Sequence, residues 1–168
     1  MKEVVAGVFF AAQLALSPVW AQDSAEQTRQ KLAQFLDEWH EDAAHARLAY
    51  FDKIAADGVY IGTDKTERWL RDDFKAWAAR YFQRPVAWAF KAIKRQIQMT
   101  PDQSVLWFDE QLSTQMGICQ ASGVVRKTAK GFEIVHYQLS MAVPNEVNAA
   151  VVELIKKHES ASPNAGIK

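Results

Sequence analysis

The chain has 168 residues, with 20 lysines and arginines balanced by 20 aspartates and glutamates. That balance excludes the cationic face of a nucleic-acid binder and leaves no acidic arm for a metal store. The length suits one domain, and a 49% hydrophobic fraction with six tryptophans and nine phenylalanines gives it a core.

The N-terminus reads as an export signal. After Lys2 and Glu3, an apolar run from Val4 to Leu16 ends at Ser17-Pro18, and Val19 and Ala21 are small residues suited to cleavage before Gln22. The run is too short to span a bilayer. As a buried first helix it would have no polar face. Residues 1–21 are therefore expected to be removed, leaving a periplasmic or secreted protein with no membrane attachment. Cys119 is the only cysteine, so no intrachain disulfide forms, and it is too far from the cleavage point to carry a lipid.

The mature chain, residues 22–158 with a loose polar tail at 159–168, opens with Ser24 and Gln27 at capping-box spacing. Leu32, Phe35, Leu36, Trp39 and Ala43 follow on one helical stripe. Leu48, Phe51, Ile54 and Ala55 continue the helical period to a stop at Asp57-Gly58, with a short strand over Val59 to Ile61. Asp64 and Glu67 form a second capping box, which predicts a helix carrying Leu70, Phe74, Trp77 and Tyr81. The two acids are thereby explained as a helix start, without chemistry.

Beyond Pro85 the period changes. Four runs, "VAWAFKAIKRQIQM", "SVLWFDEQL", "ICQASGVVRK" and "FEIVHYQLSMAV", read as strands. Turn signals at Thr100-Pro101-Asp102, Ser113 to Gly117 and Lys130-Gly131 separate them. Pro144-Asn145 opens a last helix, Glu146 to His158, with Val147, Val151, Leu154 and Ile155 turned inward. That stripe fits packing on its own domain better than docking on a partner protein. Helices followed by an antiparallel sheet define an α+β domain.

The segments "WHEDAA", "DGVYIGTDKTERW", "FKAWAARYF", "LWFDEQL", "GICQASGVVRK" and "GFEIVHYQLSMAVPN" resemble, in order, the SnoaL-like branch of the nuclear-transport-factor-2-like (ketosteroid-isomerase-like) superfamily. The resemblance runs from about Trp39 to Asn145. It implies a cone-shaped α+β fold, in which helices pack on a strongly curved antiparallel sheet around an apolar pocket. It also implies homodimers paired through their sheets, and cofactor-free isomerase, dehydratase, cyclase or epoxide hydrolase activity, or binding and assembly without catalysis. Gln120 and Ala121 depart from it, standing where an arginine and a glycine are expected. Tyr60, Trp88 and Phe90 fall on strands that the resemblance places near the pocket mouth, although aromatics at such spacing also serve as plain core.

Strand registers estimated from the turns set His136 opposite Gly123 and Gln138 opposite Ala121, with Trp107 and Asp109 opposite the same two small residues from the other side. Directly opposed residues share a face, so Trp107, Asp109, His136 and Gln138 are expected to surround a shallow floor. There Asp109 is desolvated, with its pKa raised into the range of a general base, and His136 is the donor. The competing reading is a satisfied polar cluster on the sheet face or at a dimer contact.

Metal and nucleophile readings are weaker. His40 and His45 lie on different sides of a helix, Glu41 and His45 at four-residue spacing suit a surface ion pair, and no third ligand is evident. Cys119 falls too far from His136 for proton abstraction and reads as a small buried hydrophobe. No glycine-rich phosphate loop is present. The expected ligand is a small apolar molecule, lined by Tyr60, Trp88, Trp107 and Gln138, with no cofactor, metal or nucleic acid.

Overall fold

A computed structural model describes residues 23–161. The expected signal peptide lies outside the described residues, as does the end of the expected tail. The elements in chain order are α1 (Ala25–Ala44), α2 (Ala49–Asp52), β1 (Ile54–Ile61), β2 (Arg68–Leu70) and α3 (Arg71–Ala78). Then come β3 (Lys91–Met99), β4 (Val105–Thr114), β5 (Gly117–Thr128), β6 (Gly131–Met141) and α4 (Asn145–Ala161). The strands form one curled, unclosed sheet in the order β2-β1-β6-β5-β4-β3. All neighbours are antiparallel except β1 and β6, which run parallel.

The α1 capping box is present. Ser24 Oγ accepts from the Gln27 amide at 3.1 Å, and Gln27 Oε1 accepts from the Ser24 amide at 2.9 Å. Leu32, Leu36, Trp39 and Ala43 are buried on one stripe, as predicted. That stripe meets the inner face of the sheet, where Leu106, Phe108 and Leu112 of β4 alternate with outward residues.

Two helical expectations give way to strands. The continuation past Leu48 is helical only in α2, and β1 runs straight through Asp57-Gly58. Gly58 marks a bulge in the β1–β6 pairing rather than a helix stop. A Cβ there would lie 2.7 Å from Ile54 Cγ2 and 2.8 Å from the Ile134 carbonyl oxygen, so only glycine fits.

At Asp64 the capping hydrogen bonds form without a helix. Asp64 Oδ1 accepts from the Thr66 amide at 2.8 Å, and Glu67 Oε2 accepts from the Asp64 amide at 3.2 Å. The Gly62 amide then donates to the Glu67 carbonyl at 2.9 Å, closing a hairpin that carries the chain into β2. The helix begins only at Arg71. Likewise β3 starts at Lys91, because residues 79–90 fold as turns and irregular segments around Pro85.

The registers also differ from expectation by one residue. In the β4–β5 pair, Trp107 faces Val124 and Asp109 faces Ser122. In β5–β6 the estimated register holds beside the turn, where Val125 faces Ile134. A bulge then shifts it, so that His136 faces Val124 and Gln138 faces Ser122. Both slips have the same sign. The four residues therefore share a face, but it is the outer one. Ala121 and Gly123 point inward, and Gly123 lies under the Phe108 ring.

α4 departs most. It extends through Ala161, beyond the expected boundary at His158, and has no buried residue. Leu154 is 67% and Ile155 51% exposed, so the apolar stripe does not turn inward. The helix leans on the 63–65 loop, with Lys65 Nζ 2.9 Å from Glu159 Oε1. Among the described residues, no helix is long and apolar enough to cross a membrane.

The face assignment is testable by mutation. A Cβ on Gly123 would sit 2.6 Å from Phe108 Cε1 and 2.8 Å from the His136 carbonyl oxygen. Gly123→Ala is expected to cost about 1–3 kcal/mol in urea denaturation, while Ser122→Ala on the outer face stays within about 0.5 kcal/mol. The reverse order of sensitivities would overturn the register.

Candidate functional site

Three polar or apolar groupings occupy different parts of the cone. The first is an aromatic cavity of about 260 Å³ at its mouth. Tyr60 of β1, Trp69 of β2, and Phe74 and Trp77 of α3 form one wall, and Tyr81 and Trp88 of the following irregular segment form the other. Their rings are in continuous contact. Tyr60 stacks on Phe74 at 3.9 Å, Trp69 meets Trp77 at 4.7 Å, and Trp77 meets Tyr81 at 5.2 Å. Phe90, Leu139 and Met116, the last from the β4–β5 hairpin, add further apolar surface to the lining.

Polar atoms in and behind this cavity are few. Trp88 Nε1 is buried and has no hydrogen-bond partner among the described residues, and the same holds for the Tyr137 hydroxyl. Burial, with the neighbouring tyrosine hydroxyls, pushes the pKa values of Tyr50 and Tyr137 well up, and burial raises that of Tyr60 as well. These phenols stay protonated and act as neutral donors. Glu67 is the only carboxylate in the lining, held at the Tyr60–Gly62 side by its bond to the Asp64 amide.

The second grouping is a buried ionic network between α1, β3 and β4. His40 Nε2 donates to Glu110 Oε1 at 2.8 Å, and Arg95 Nε donates to Glu110 Oε2 at 2.8 Å. Arg95 Nη1 also donates to the Ala33 carbonyl at 3.0 Å and to Asp37 Oδ1 at 2.9 Å. The Glu110 side chain is 0% exposed. Burial raises its pKa, but His40 and Arg95 together outweigh that, so the carboxyl sits below its ordinary value.

The sequence reading missed this network, and its signal was positional. His40 lies four residues after Leu36 on the buried stripe, and Glu110 falls between Phe108 and Leu112 in the inward alternation. A polar residue on an apolar face needs a partner.

The third is a polar groove of about 520 Å³ on the outer face of the sheet, lined by Lys94, Gln96, Asp109, Gln120, Ser122 and Gln138. Trp107 and His136 lie on the same face, in the adjoining row across Val124. Trp107 is 40% exposed and donates from Nε1 to Gln98 Oε1 at 2.6 Å.

The residues singled out from sequence therefore separate. Tyr60, Trp88 and Phe90 line the aromatic cavity, although Trp88 and Phe90 reach it from an irregular segment and not from a strand. Trp107, Asp109, His136 and Gln138 stay together but face outward. Asp109 is exposed, so the desolvation expected of it is absent in a single chain. Phe74, Trp77 and Tyr81, which the sequence places on a helix stripe, also line the cavity, together with Trp69.

Cys119 is buried on the inner face, opposite to His136. His45 pairs with Glu41 at 3.3 Å on the surface of α1. No cluster of three metal-ligating side chains occurs among the described residues.

These features define an α+β cone with an aromatic mouth. The sequence profile of the SnoaL-like domain matches residues 32–144, and the chain belongs to that family. Solved structures share the fold at low identity. An NTF2-like protein of unknown function from Pseudomonas putida KT2440 is 9% identical. The match covers 73% of this chain and 92% of that one, with a TM-score of 0.61.

An NTF2-like protein from Cytophaga hutchinsonii is 8% identical, with 68% and 98% covered and a TM-score of 0.55. A protein described as a candidate ketosteroid isomerase, from Parabacteroides distasonis, is 13% identical, with 67% and 86% covered and a TM-score of 0.55. A comparison with curated proteins finds no match.

The ionic network predicts an acid-sensitive fold. A carboxylate with a lowered folded-state pKa stabilises above its unfolded value of 4.5, and that contribution is lost as the pH falls through the lowered value. Glu110→Gln leaves Arg95 with only the exposed Asp37 as counter-charge and is expected to cost about 3 kcal/mol at pH 7 in urea denaturation. The deficit should shrink on acidification, where wild type loses the same contribution. A pH-independent difference would remove Glu110 as its source.

Proposed function

We propose that this SnoaL-like protein binds a small, flat, largely apolar molecule in the aromatic cavity. The observation that carries the reading is a continuous wall of aromatic rings around an open cavity, with the Trp77 ring left 37% exposed. Apolar rings left exposed around a concavity are suited to the ring body of a ligand. At about 260 Å³ the cavity lies just under the ~300–1,000 Å³ range of drug-sized sites. It suits one or two fused rings.

Cofactor-free isomerase, dehydratase or cyclase chemistry is the catalytic form of the same reading. In the lining, Glu67 is the one carboxylate, and the Tyr60 hydroxyl is a neutral hydrogen-bond donor. Asp109 and His136 are better suited to a contact between sheets. A two-fold pairing through the outer face would cover Val105, Trp107 and Ile118, which a single chain leaves exposed. It would also bring Lys94 of one copy within reach of the acidic Asp109 of the other, giving opposite charges across the contact.

Titration calorimetry with 2-naphthamide tests the cavity. Wild type is expected to bind it, and Trp77→Ala to bind roughly tenfold more weakly for loss of a ring contact and buried area. Absence of binding to wild type would sink the reading. For the pairing, Trp107→Glu is expected to convert a dimer to a monomer by sedimentation; a monomeric wild type would remove it.

A further inference from the structure

We propose that the ligand of the aromatic cavity is an aromatic carboxylate, its anionic group received by Arg80 and Arg84 at the Tyr81 side of the mouth. This rests on the cavity being the binding site. Arg80 Cζ lies 4.8 Å from the Tyr81 ring centroid and 5.9 Å from that of Trp77, and Arg80 Nη2 donates to the Tyr81 hydroxyl at 2.9 Å. Arg84 Cζ lies 5.0 Å from the Tyr81 ring. The two guanidinium groups are exposed and lie outside the lining itself, against rings that belong to it.

Neither has an acidic partner among the described residues, and this sets them apart. Arg29, Arg47, Arg71, Arg95 and Arg126 each reach a carboxylate. The described arginines without one are Arg68, Arg80 and Arg84, and all three belong to the stretch from β2 to the end of the irregular turn that walls the cavity. Arg80 gives one N–H to the Tyr81 hydroxyl, and a guanidinium's remaining N–H groups form a fork that matches the two oxygens of a carboxylate. Stacking also holds the side chain in place before the ligand arrives, which lowers the ordering cost of binding.

The cavity has a polarity that would orient such a ligand. Glu67 lies at the Tyr60–Gly62 side, close enough to Tyr60 to act on its ionisation. Arg80 and Arg84 lie at the Tyr81 side, and in the chain of ring contacts Trp69 and Trp77 stand between. An anionic group is repelled from the first side and drawn to the second. The ring body then occupies the apolar stretch between them.

The test compares 2-naphthoate with 2-naphthamide, which share a ring system and nearly a shape but differ in charge, by titration calorimetry at low salt. Wild type is expected to bind the carboxylate about tenfold more tightly, the scale of one charge-assisted hydrogen bond, with the preference shrinking as salt is added. Arg80→Gln with Arg84→Gln should abolish the preference, so that the variant binds the two probes alike. Lysine at both positions should restore only part of it, since the charge remains and the fork is lost.

Equal binding of the two probes to wild type, or a preference that survives in the glutamine variant, would overturn the carboxylate assignment while the cavity stands. Binding of neither probe would overturn both.

Discussion

The cone is organised around Trp39. Its ring stacks on Tyr50 at 4.8 Å and nearly in parallel, meets Tyr137 edge-on at 4.7 Å, and donates from Nε1 to the Tyr50 carbonyl at 3.1 Å. One fully buried side chain therefore ties α1 to α2 and to the central strand β6. Everything at the mouth hangs from that join. Tyr50 also meets Trp88 and Phe82, and Tyr137 meets Tyr60. The cavity wall is an extension of the core, and its shape is set by packing deep in the domain and not by loops alone.

The interior holds two kinds of polar group, managed differently. The carboxylate of Glu110 is surrounded by His40 and Arg95, which offset the cost of removing its charge from water. The tyrosines nearer the mouth avoid that cost by remaining protonated. Arg95 Nη2 has no hydrogen-bond partner among the described residues, but the rest of its guanidinium is engaged by Glu110, Asp37 and a helix carbonyl. The network locks α1 onto the sheet.

Much of this was legible in the sequence because it follows short-range rules. The α1 stripe, its cap, the four long strands and their turns all came from local period and turn chemistry. Asp64 and Glu67 show where locality fails. Their capping bonds form as read, yet the Gly62–Glu67 bond folds the chain into a hairpin, because Val59 to Ile61 is an inner strand offering an open edge to β2. Tertiary pairing overrode a helical signal. The outer-face quartet illustrates a different limit. Each strand pair slipped by one residue, the bulge in β6 was invisible to counting from a turn, and the slips together preserved the grouping while reversing the face.

The parallel pairing of β1 with β6 sets an order of assembly. Every other strand contact joins neighbours along the chain through a short connection, but Tyr60 finds Tyr137 only after β3, β4 and β5 have been made. The loop closed by that contact is the longest in the sheet, so its entropy must be overcome before the contact contributes anything. On a ribosome, β1, β2 and α3 emerge first with no sheet to join, and their aromatic residues have no β6 to rest on. The aromatic cavity leans on a strand synthesised after all of its ring residues, so a nascent chain cut short before β6 has the rings without the wall that backs them.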